Sequence, residues 1–259
     1  MRVAVLRERR AAETRVAATP ETVKKLISLG CTVAVESGAG GTAGIPDAQY
    51  RDAGAEITGD PASTLAGAGV VLTVRAPEDA ERALIPRGAL LIGTLGADAA
   101  AAQSYAEAGI DAAAMELLPR ITRAQSMDVL SSQANLAGYR AVIEGAAAFD
   151  RGFPMLMTAA GTVPAANVFV MGAGVAGLQA IATGRRLGGR VSATDVRPAA
   201  KEEIKSLGAA FVGYEDEESK AAQTAGGYAK QLSAEFYVRQ AEVIAAHIAK
   251  QDVVVCTAL

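Results

Sequence analysis

The sequence predicts an α/β protein built as two parallel-sheet domains joined by a long helix, the second domain incomplete. Three observations carry this. Apolar runs alternate with amphipathic stretches through the first half of the 259 residues, which is the rhythm of βαβ units. An unbroken helix-compatible stretch then runs over residues 128–151. Beyond it a second αβ rhythm opens on the run VFVM, which leads straight into GAGVAG. The length exceeds a typical domain of about 100 to 150 residues. With 51% hydrophobic and 20% charged residues, the chain falls among those that bury a core.

The expected strands of the first domain, residues 1–127, are 3–6, 32–35, 70–74 and 89–94. Between the first two, Thr19 and Pro20 read as an N-cap and first helical position, Val23, Leu26 and Ile27 as the apolar face, and Gly30 as the stop. In the connecting helix, residues 128–151, Val129, Leu130, Leu136, Ala137, Val142 and Phe149 are available for packing. The last domain, residues 152–259, has expected strands at 168–171, 190–194, 210–213 and 252–256 and a helix over 230–250. Residues 214–227 carry EDEE and QTAGG without apolar periodicity, so they predict an exposed, mobile loop. A complete dinucleotide fold has six strands in two halves, and four are legible after residue 167, hence the expectation of an incomplete domain.

The glycine run carries the chemistry. Gly172, Gly174 and Gly177 follow an apolar strand and precede the helix-like LQAIATGRRL, with Val175 and Ala176 between them. In such a turn the first glycine permits the bend, the second lets backbone approach a pyrophosphate, and the third allows close helix packing; the helix N-terminus offers unpaired N–H groups to the anion. The next strand ends in Asp195, 18 residues beyond Gly177, near the distance expected of a carboxylate that accepts from a ribose 2′-hydroxyl. Strand, glycines, helix and acid make this a Rossmann-like fingerprint; the competing reading is a tight turn with no ligand. Asp195 would repel a 2′-phosphate and so favour NAD(H) over NADP(H), and Val196 beside it is a further candidate for cofactor contact. Arg197 pulls the other way, since an arginine there can accommodate a 2′-phosphate, unless it is only a solvated surface residue.

Composition excludes other classes. A net charge of −3, 4% aromatic residues and no Trp offer neither the basic surface nor the stacking platform of a nucleic-acid binder. Cys31 and Cys256 form no CxxC or Cys/His spacing, so no disulfide framework or zinc site is expected, in keeping with a reducing cytoplasm. Residues 152–184 are uncharged over 33 positions, longer than the about 20 needed to cross a bilayer. Pro154, Pro164 and six glycines interrupt them, so no direct membrane span is expected, and the chain reads as cytoplasmic with no signal peptide.

Several segments resemble the NAD(H)-binding component of proton-translocating nicotinamide nucleotide transhydrogenase and, more distantly, alanine dehydrogenase. They are RERRAAETRVAATPETVKKL, MELLPRITRAQSMDVLSSQANLAGYRAVIEGA, MTAAGTVPAANVFVMGAGVAGLQAIATGRRLG, ATDVR and TAGGYAK, and the likeness covers essentially the whole chain. The resemblance implies hydride transfer between NADH bound here and NADP⁺ bound on a separate component. It further implies NADP(H)-binding and membrane partner components, a homodimer, and a cytoplasmic location held peripherally at the inner membrane by those partners. The family's dihydronicotinamide-contacting pattern falls on Arg120, Gln125, Asp128 and Ser131, and its mobile-loop tyrosine on Tyr228.

The residue chemistry suits that reading. Hydride passage between two nicotinamide rings moves no proton at the reacting carbons, so it asks for positioning groups rather than an acid or base. Gln125, Asp128 and Ser131, spaced by three and three, could hold a carboxamide from one side of a helical turn; read on spacing alone, the same residues could be a capping cluster with Ser126 or Asp128 as the cap. An alanine dehydrogenase-like oxidoreductase is the rival, and amine oxidation needs a proton acceptor and a carboxylate anchor. Arg15 matches that family's substrate arginine, or else belongs to a solvated charge cluster. Arg75 stands where its motif has a lysine, LIGTLGA contains no histidine, and the single histidine, His247, lies late in the last helix, where it is expected to be structural or solvent-exposed rather than catalytic. A third reading is a module that binds NAD(H) without chemistry, and the incomplete second domain implies little turnover by this chain alone.

Overall fold

The computed structural model describes residues 1–96, 98–119, 121–216 and 232–257. The chain divides into two compact units, Met1–Val129 and Leu130–Leu259. No helix among the described residues is long and apolar enough to cross a membrane.

The first unit is a parallel sheet of six strands: β1 (Arg2–Val5), β2 (Thr32–Glu36), β3 (Glu56–Thr58), β4 (Val70–Arg75), β5 (Leu90–Thr94) and β6 (Asp111–Ala114). Their spatial order is β3-β2-β1-β4-β5-β6. Period-two alternation sends Val3 and Val5 to one face and Ala4 and Leu6 to the other, and all four are buried. Helices therefore cover both faces. Val23 of α1 (Pro20–Ser28) and Tyr50 of α2 (Asp47–Asp52) pack with Val3, Val5, Val33 and Val35. Leu65 of α3 (Pro61–Leu65) and Tyr105 of α5 (Ala99–Ala108) pack with Leu6, Val71 and Leu91; α4 (Asp79–Arg82) is a single turn between β4 and β5. Tyr50 is wholly buried because its hydroxyl donates to the Ala18 carbonyl at 2.8 Å. Helix α1 starts where the sequence placed it: the Thr19 hydroxyl accepts from Thr22 N at 3.3 Å, and Gly30 follows at φ +83°.

Two strands of this sheet are absent from the sequence reading. β3 has three residues, and β6 is DAAA, in which alanine carries no strand preference. Both are edge strands, held by pairing with β2 and β5 rather than by propensity.

In the second unit β9 (Asn167–Met171), β10 (Arg190–Thr194), β11 (Ala210–Phe211) and β12 (Val253–Cys256) form a parallel sheet in the order β11-β10-β9-β12. A hairpin of β7 (Leu156–Thr158) and β8 (Gly161–Val163), which the sequence reading does not contain, stands apart from it. Val168, Val170, Val191, Ala193 and Val255 meet Val142 of α6 (Val129–Ala148), Ala180 and Ile181 of α7 (Val175–Arg186), and Ile204 of α8 (Pro198–Ser206) in one core. Leu130 and Leu136, expected to pack, are exposed. The packing face of α6 is made of Gly138, Ala141, Val142 and Ala146 instead, a small-residue stripe that an alanine-rich sequence hides.

On the opposite face lies α9 (Ala234–Ile248). There His247 Nε2 and the Ser192 hydroxyl are 2.8 Å apart, and the imidazole meets Phe169 edge-on at 4.8 Å. Of the two readings the sequence leaves open for this histidine, structural or solvent-exposed, the contacts give the structural one. Burial pushes its pKa down, and Lys250 adds to the effect, so the folded chain favours the neutral ring. Between the depressed folded value and the unfolded value near 6.5, the unfolded state binds more protons, so stability falls as pH drops below neutrality. Thermal melts from pH 7.5 to 5.5 are expected to show this loss, and His247→Gln to remove most of it. An unchanged slope in the variant would assign the effect elsewhere.

Candidate functional site

The site grows from the carboxyl end of β9. Gly172 sits at φ +95°, a conformation side chains rarely adopt, and its N–H donates to Thr194 O at 2.9 Å. The chain turns there and enters α7 with Gly174 as N-cap, and no side chain caps that helix. First-turn N–H groups have no intrahelical acceptor, so the amides of Val175 and Ala176 stand at an uncapped, partly positive terminus. A side chain added at Gly174 would meet nothing within 4 Å, whereas one at Gly177 would lie 1.8 Å from the Gly172 carbonyl oxygen. One glycine thus faces open space and the other is required by packing.

Asp195 and Arg197 lie beside this turn. Asp195 Oδ2 accepts from Ala173 N at 2.8 Å and from Arg197 Nη2 at 2.9 Å, while Oδ1 accepts from Arg197 N at 2.8 Å and Nε at 2.9 Å. Burial raises the carboxyl pKa, but the Arg197 guanidinium and the two backbone N–H groups outweigh it, so Asp195 is held below the usual range. Arg197 is therefore neither a solvated surface residue nor an unengaged phosphate ligand: it forms a two-point clamp on Asp195. Beyond Asp195, Val196 and Arg197 a cavity of about 210 Å³ opens, walled by Lys201, Phe211, Tyr214, Phe236 and Gln240.

Several contributors were invisible in the sequence. The Thr257 hydroxyl donates toward Met171 O at 3.2 Å and Gly172 O at 3.0 Å, tying the end of β12 to the turn. Gln240 of α9 donates to Thr194 Oγ1 at 3.1 Å and accepts from Tyr214 N at 2.6 Å. Gly138 of α6 comes so near α7 that an added Cβ would lie 2.0 Å from Ala176 O, and Asn135 donates to Gln179 at 3.2 Å. None of these belongs to a local motif; each is a contact between elements distant in sequence.

The remaining candidates divide between the units. Ser131 is half-buried in the first turn of α6, and its spacing of four and then three to Asn135 and Gly138 puts it on the helix side that meets α7. Gln125 is exposed in the 3₁₀ segment Thr122–Met127, and Asp128 closes that segment, its N–H donating to Gln125 O at 3.3 Å; both belong to the first unit. Arg120 and Tyr228 lie outside the described residues. So does most of the loop expected over 214–227, but its first residue is not free in solvent. Tyr214 packs on Phe236 at 5.6 Å between ring centres, and its hydroxyl accepts from Arg239 at 2.7 Å. Among the described residues no cluster of His, Cys, Asp or Glu is arranged to hold a metal ion.

Comparison with known proteins places this geometry. Residues 4–137 match the family model described as alanine dehydrogenase/PNT, N-terminal domain, and residues 141–259 the corresponding C-terminal domain. The chain is 53% identical over its whole length to an NAD(P) transhydrogenase subunit alpha polypeptide of Rhodospirillum rubrum, covering 69% of that protein. A solved transhydrogenase structure from Sinorhizobium meliloti superposes with a TM-score of 0.88 at 53% identity, covering all of this chain and 70% of the other. Alanine dehydrogenase of Mycobacterium tuberculosis is 31% identical over 82% of this chain and 57% of its own length. The chain belongs to the alanine dehydrogenase/PNT family, and of the relatives compared it stands nearer the transhydrogenase alpha subunit than the alanine dehydrogenase.

Proposed function

We propose that the chain is the NAD(H)-binding component of a proton-translocating transhydrogenase, which works with a separate NADP(H)-binding component and a membrane component. The observation that carries the reading is the uncapped α7 terminus, open at Gly174 and flanked by the ionised Asp195, in a chain so similar to a transhydrogenase alpha subunit. The turn fits a dinucleotide. Gly172, Gly174, Val175, Ala176 and Gly177 would receive the pyrophosphate on backbone N–H groups, Asp195 would accept from the adenosine ribose, and Val196 and Arg197 would border the base. Bound NADH supplies the hydride that passes to NADP⁺ on the partner. Arg120, Gln125, Asp128 and Ser131 are proposed to orient the carboxamide so that one ring face is presented, and Tyr228 to cover the bound nucleotide. Residues 1–127 and 152–259 would act as domains joined by the helix between them, in a homodimer at the cytoplasmic face of the inner membrane.

An amine-oxidising reading is less well supported. The chain has one histidine, committed to Ser192 and Phe169, so no imidazole serves as proton acceptor. The test has two stages. NADH fluorescence titration, repeated with NADPH, is expected to show binding with NADH preferred. A cyclic assay with the NADP(H)-binding component is then expected to give turnover that needs both partners, while alanine with NAD⁺ gives none. Alanine oxidation, or failure to bind either nucleotide, would overturn the assignment.

A further inference from the structure

Strands β10 and β11 separate at the edge of the nucleotide site, and a side chain from α9 stands at the point of separation. In a parallel pair the hydrogen bonds are evenly spaced along both strands. Ser192 and Ala193 pair with Ala210 and Phe211, and Val212 N donates to Ala193 O at 2.8 Å. Continued by one step, the ladder would carry Tyr214 N to the Asp195 carbonyl. Tyr214 N donates instead to Gln240 Oε1 at 2.6 Å, while Gln240 Nε2 donates to Thr194 Oγ1 at 3.1 Å. A backbone N–H can only donate, so the amide oxygen must face Tyr214 and the amide nitrogen must face Thr194.

The amide is held from both ends and from its own helix. Thr194, its anchor, is buried. Phe236, Arg239 and Gln240 are spaced by three and four, so they share one face of α9, and all three hold Tyr214: Phe236 by its ring, Arg239 through the phenol hydroxyl, Gln240 through the backbone. The residue before Tyr214 is Gly213, where an added Cβ would lie 3.5 Å from Gln240 Nε2 and 3.1 Å from the Phe211 ring. The amide therefore lies close against the backbone that leaves β11. Asp195, Val196, Tyr214 and Gln240 all line the 210 Å³ cavity. Completing the ladder would bring Tyr214 N to about 2.9 Å from the Asp195 carbonyl and take up that space.

We propose that Gln240 is a positioning residue, which diverts Tyr214 N from the Asp195 carbonyl, keeps the ends of β10 and β11 apart, and so sets the width of the cavity that receives the adenosine half of a dinucleotide. It acts through Thr194 and Tyr214 and does nothing at the nicotinamide end. The inference rests on the dinucleotide reading of the glycine turn and adds to it the residue that holds the adenosine side open.

The test is calorimetric titration with NADH and, separately, with 5′-AMP, which carries the adenosine half alone. Gln240→Met keeps the length of the side chain and removes both hydrogen bonds. It is expected to weaken NADH and 5′-AMP by the same factor, about 10-fold, with the number of sites per chain unchanged. A merely structural defect would do the reverse, lowering the number of competent sites and leaving Kd alone. The melting temperature should fall by only roughly 2 to 4 °C, because Tyr214 N can turn to the Asp195 carbonyl. Thr194→Val cuts the anchor and should cost about 3-fold, and the double variant should bind no more weakly than Gln240→Met, since both changes release one strut. Should Gln240→Met not fold, Gln240→Asn carries the same expectations, its amide being one methylene too short to span both partners. An unchanged Kd in the Gln240 variant, a loss of NADH affinity without loss of 5′-AMP affinity, or additive losses in the double variant would overturn the proposal while the unmodified chain still binds NADH. An unmodified chain that binds neither ligand would overturn the dinucleotide reading itself, and this inference with it.

Discussion

Gly177→Ala is expected to abolish dinucleotide binding and to weaken the second unit, while Gly174→Ala, three residues away, is expected to spare the fold and still lose ligand. The contrast follows from what a methyl group would meet. At Gly177 it would lie 1.8 Å from the Gly172 carbonyl oxygen and 2.7 Å from its carbon, and backbone cannot swing aside as a flexible side chain can. Either α7 lifts from β9 or the Gly172 turn is rebuilt. Overpacking of a well-ordered interior costs about 1 to 3 kcal/mol, and the displaced turn carries the N–H groups that would meet a pyrophosphate. NADH affinity should fall by about 100-fold or more, equivalent to roughly 2.7 kcal/mol. At Gly174 a methyl group meets no protein atom, and φ −72° is open to any residue. Its melting temperature should therefore change little, the N-cap preference for glycine over alanine being worth about 1 kcal/mol at most. Binding should nevertheless weaken, because the space the methyl enters is the space a phosphate would use. Calorimetric melts and NADH titration on both variants decide the matter. A Gly174→Ala chain that melts and binds like the unmodified one would remove the pyrophosphate from this turn.

What could be read in the sequence was whatever is encoded locally. The strand at β9, the glycine turn, α7 and the acid at the end of β10 are contiguous, and each has its own signal: apolar period, glycine spacing, helix periodicity, a carboxylate at a fixed offset. The start of α1 was legible for the same reason, since Thr19 and Pro20 cap it within four residues. The parts that escaped are relational. β6 is a strand because β5 lies beside it, not because DAAA favours one. Gly138 matters because α7 crosses α6 there, and nothing within the helix marks it off from Gly145. The Arg197 side chain could have faced solvent or a phosphate on sequence grounds, and only the geometry shows it folded back on Asp195. The roles proposed for Gln125, Asp128 and Ser131 came from resemblance, because three polar residues at a helix start satisfy a capping pattern equally well.

Asp195→Ala should reverse the nucleotide preference rather than merely reduce it. In the unmodified chain both carboxylate oxygens are engaged, and burial of the charge is offset by the Arg197 clamp and the Ala173 and Arg197 N–H groups. The acid is thus ionised throughout the neutral range, and a 2′-phosphate of charge about −1.5 to −2 would be brought against it. Removing the carboxylate has three effects. A ribose hydroxyl loses its charged acceptor, worth about 1.5 to 3 kcal/mol, so NADH affinity falls by roughly 10- to 100-fold. The repulsion facing a 2′-phosphate disappears. The Arg197 guanidinium, released from its partner and bordering the same cavity as Lys201, becomes a bidentate phosphate ligand. The ratio of NADPH to NADH affinity should therefore rise by about 100-fold or more, and adding Arg197→Ala should cancel the NADPH gain while leaving the NADH loss in place. That double-variant cycle isolates the pair. The acid contributes to stability in the same way: with its folded pKa depressed, the contribution is full above the unfolded value of about 3.9 and is lost as pH falls toward the lower folded one, so Asp195→Ala should flatten the acid limb of the stability curve. A ratio unmoved by Asp195→Ala would mean that the ribose lies elsewhere, and an NADPH gain that survives Arg197→Ala would take that arginine out of the specificity argument.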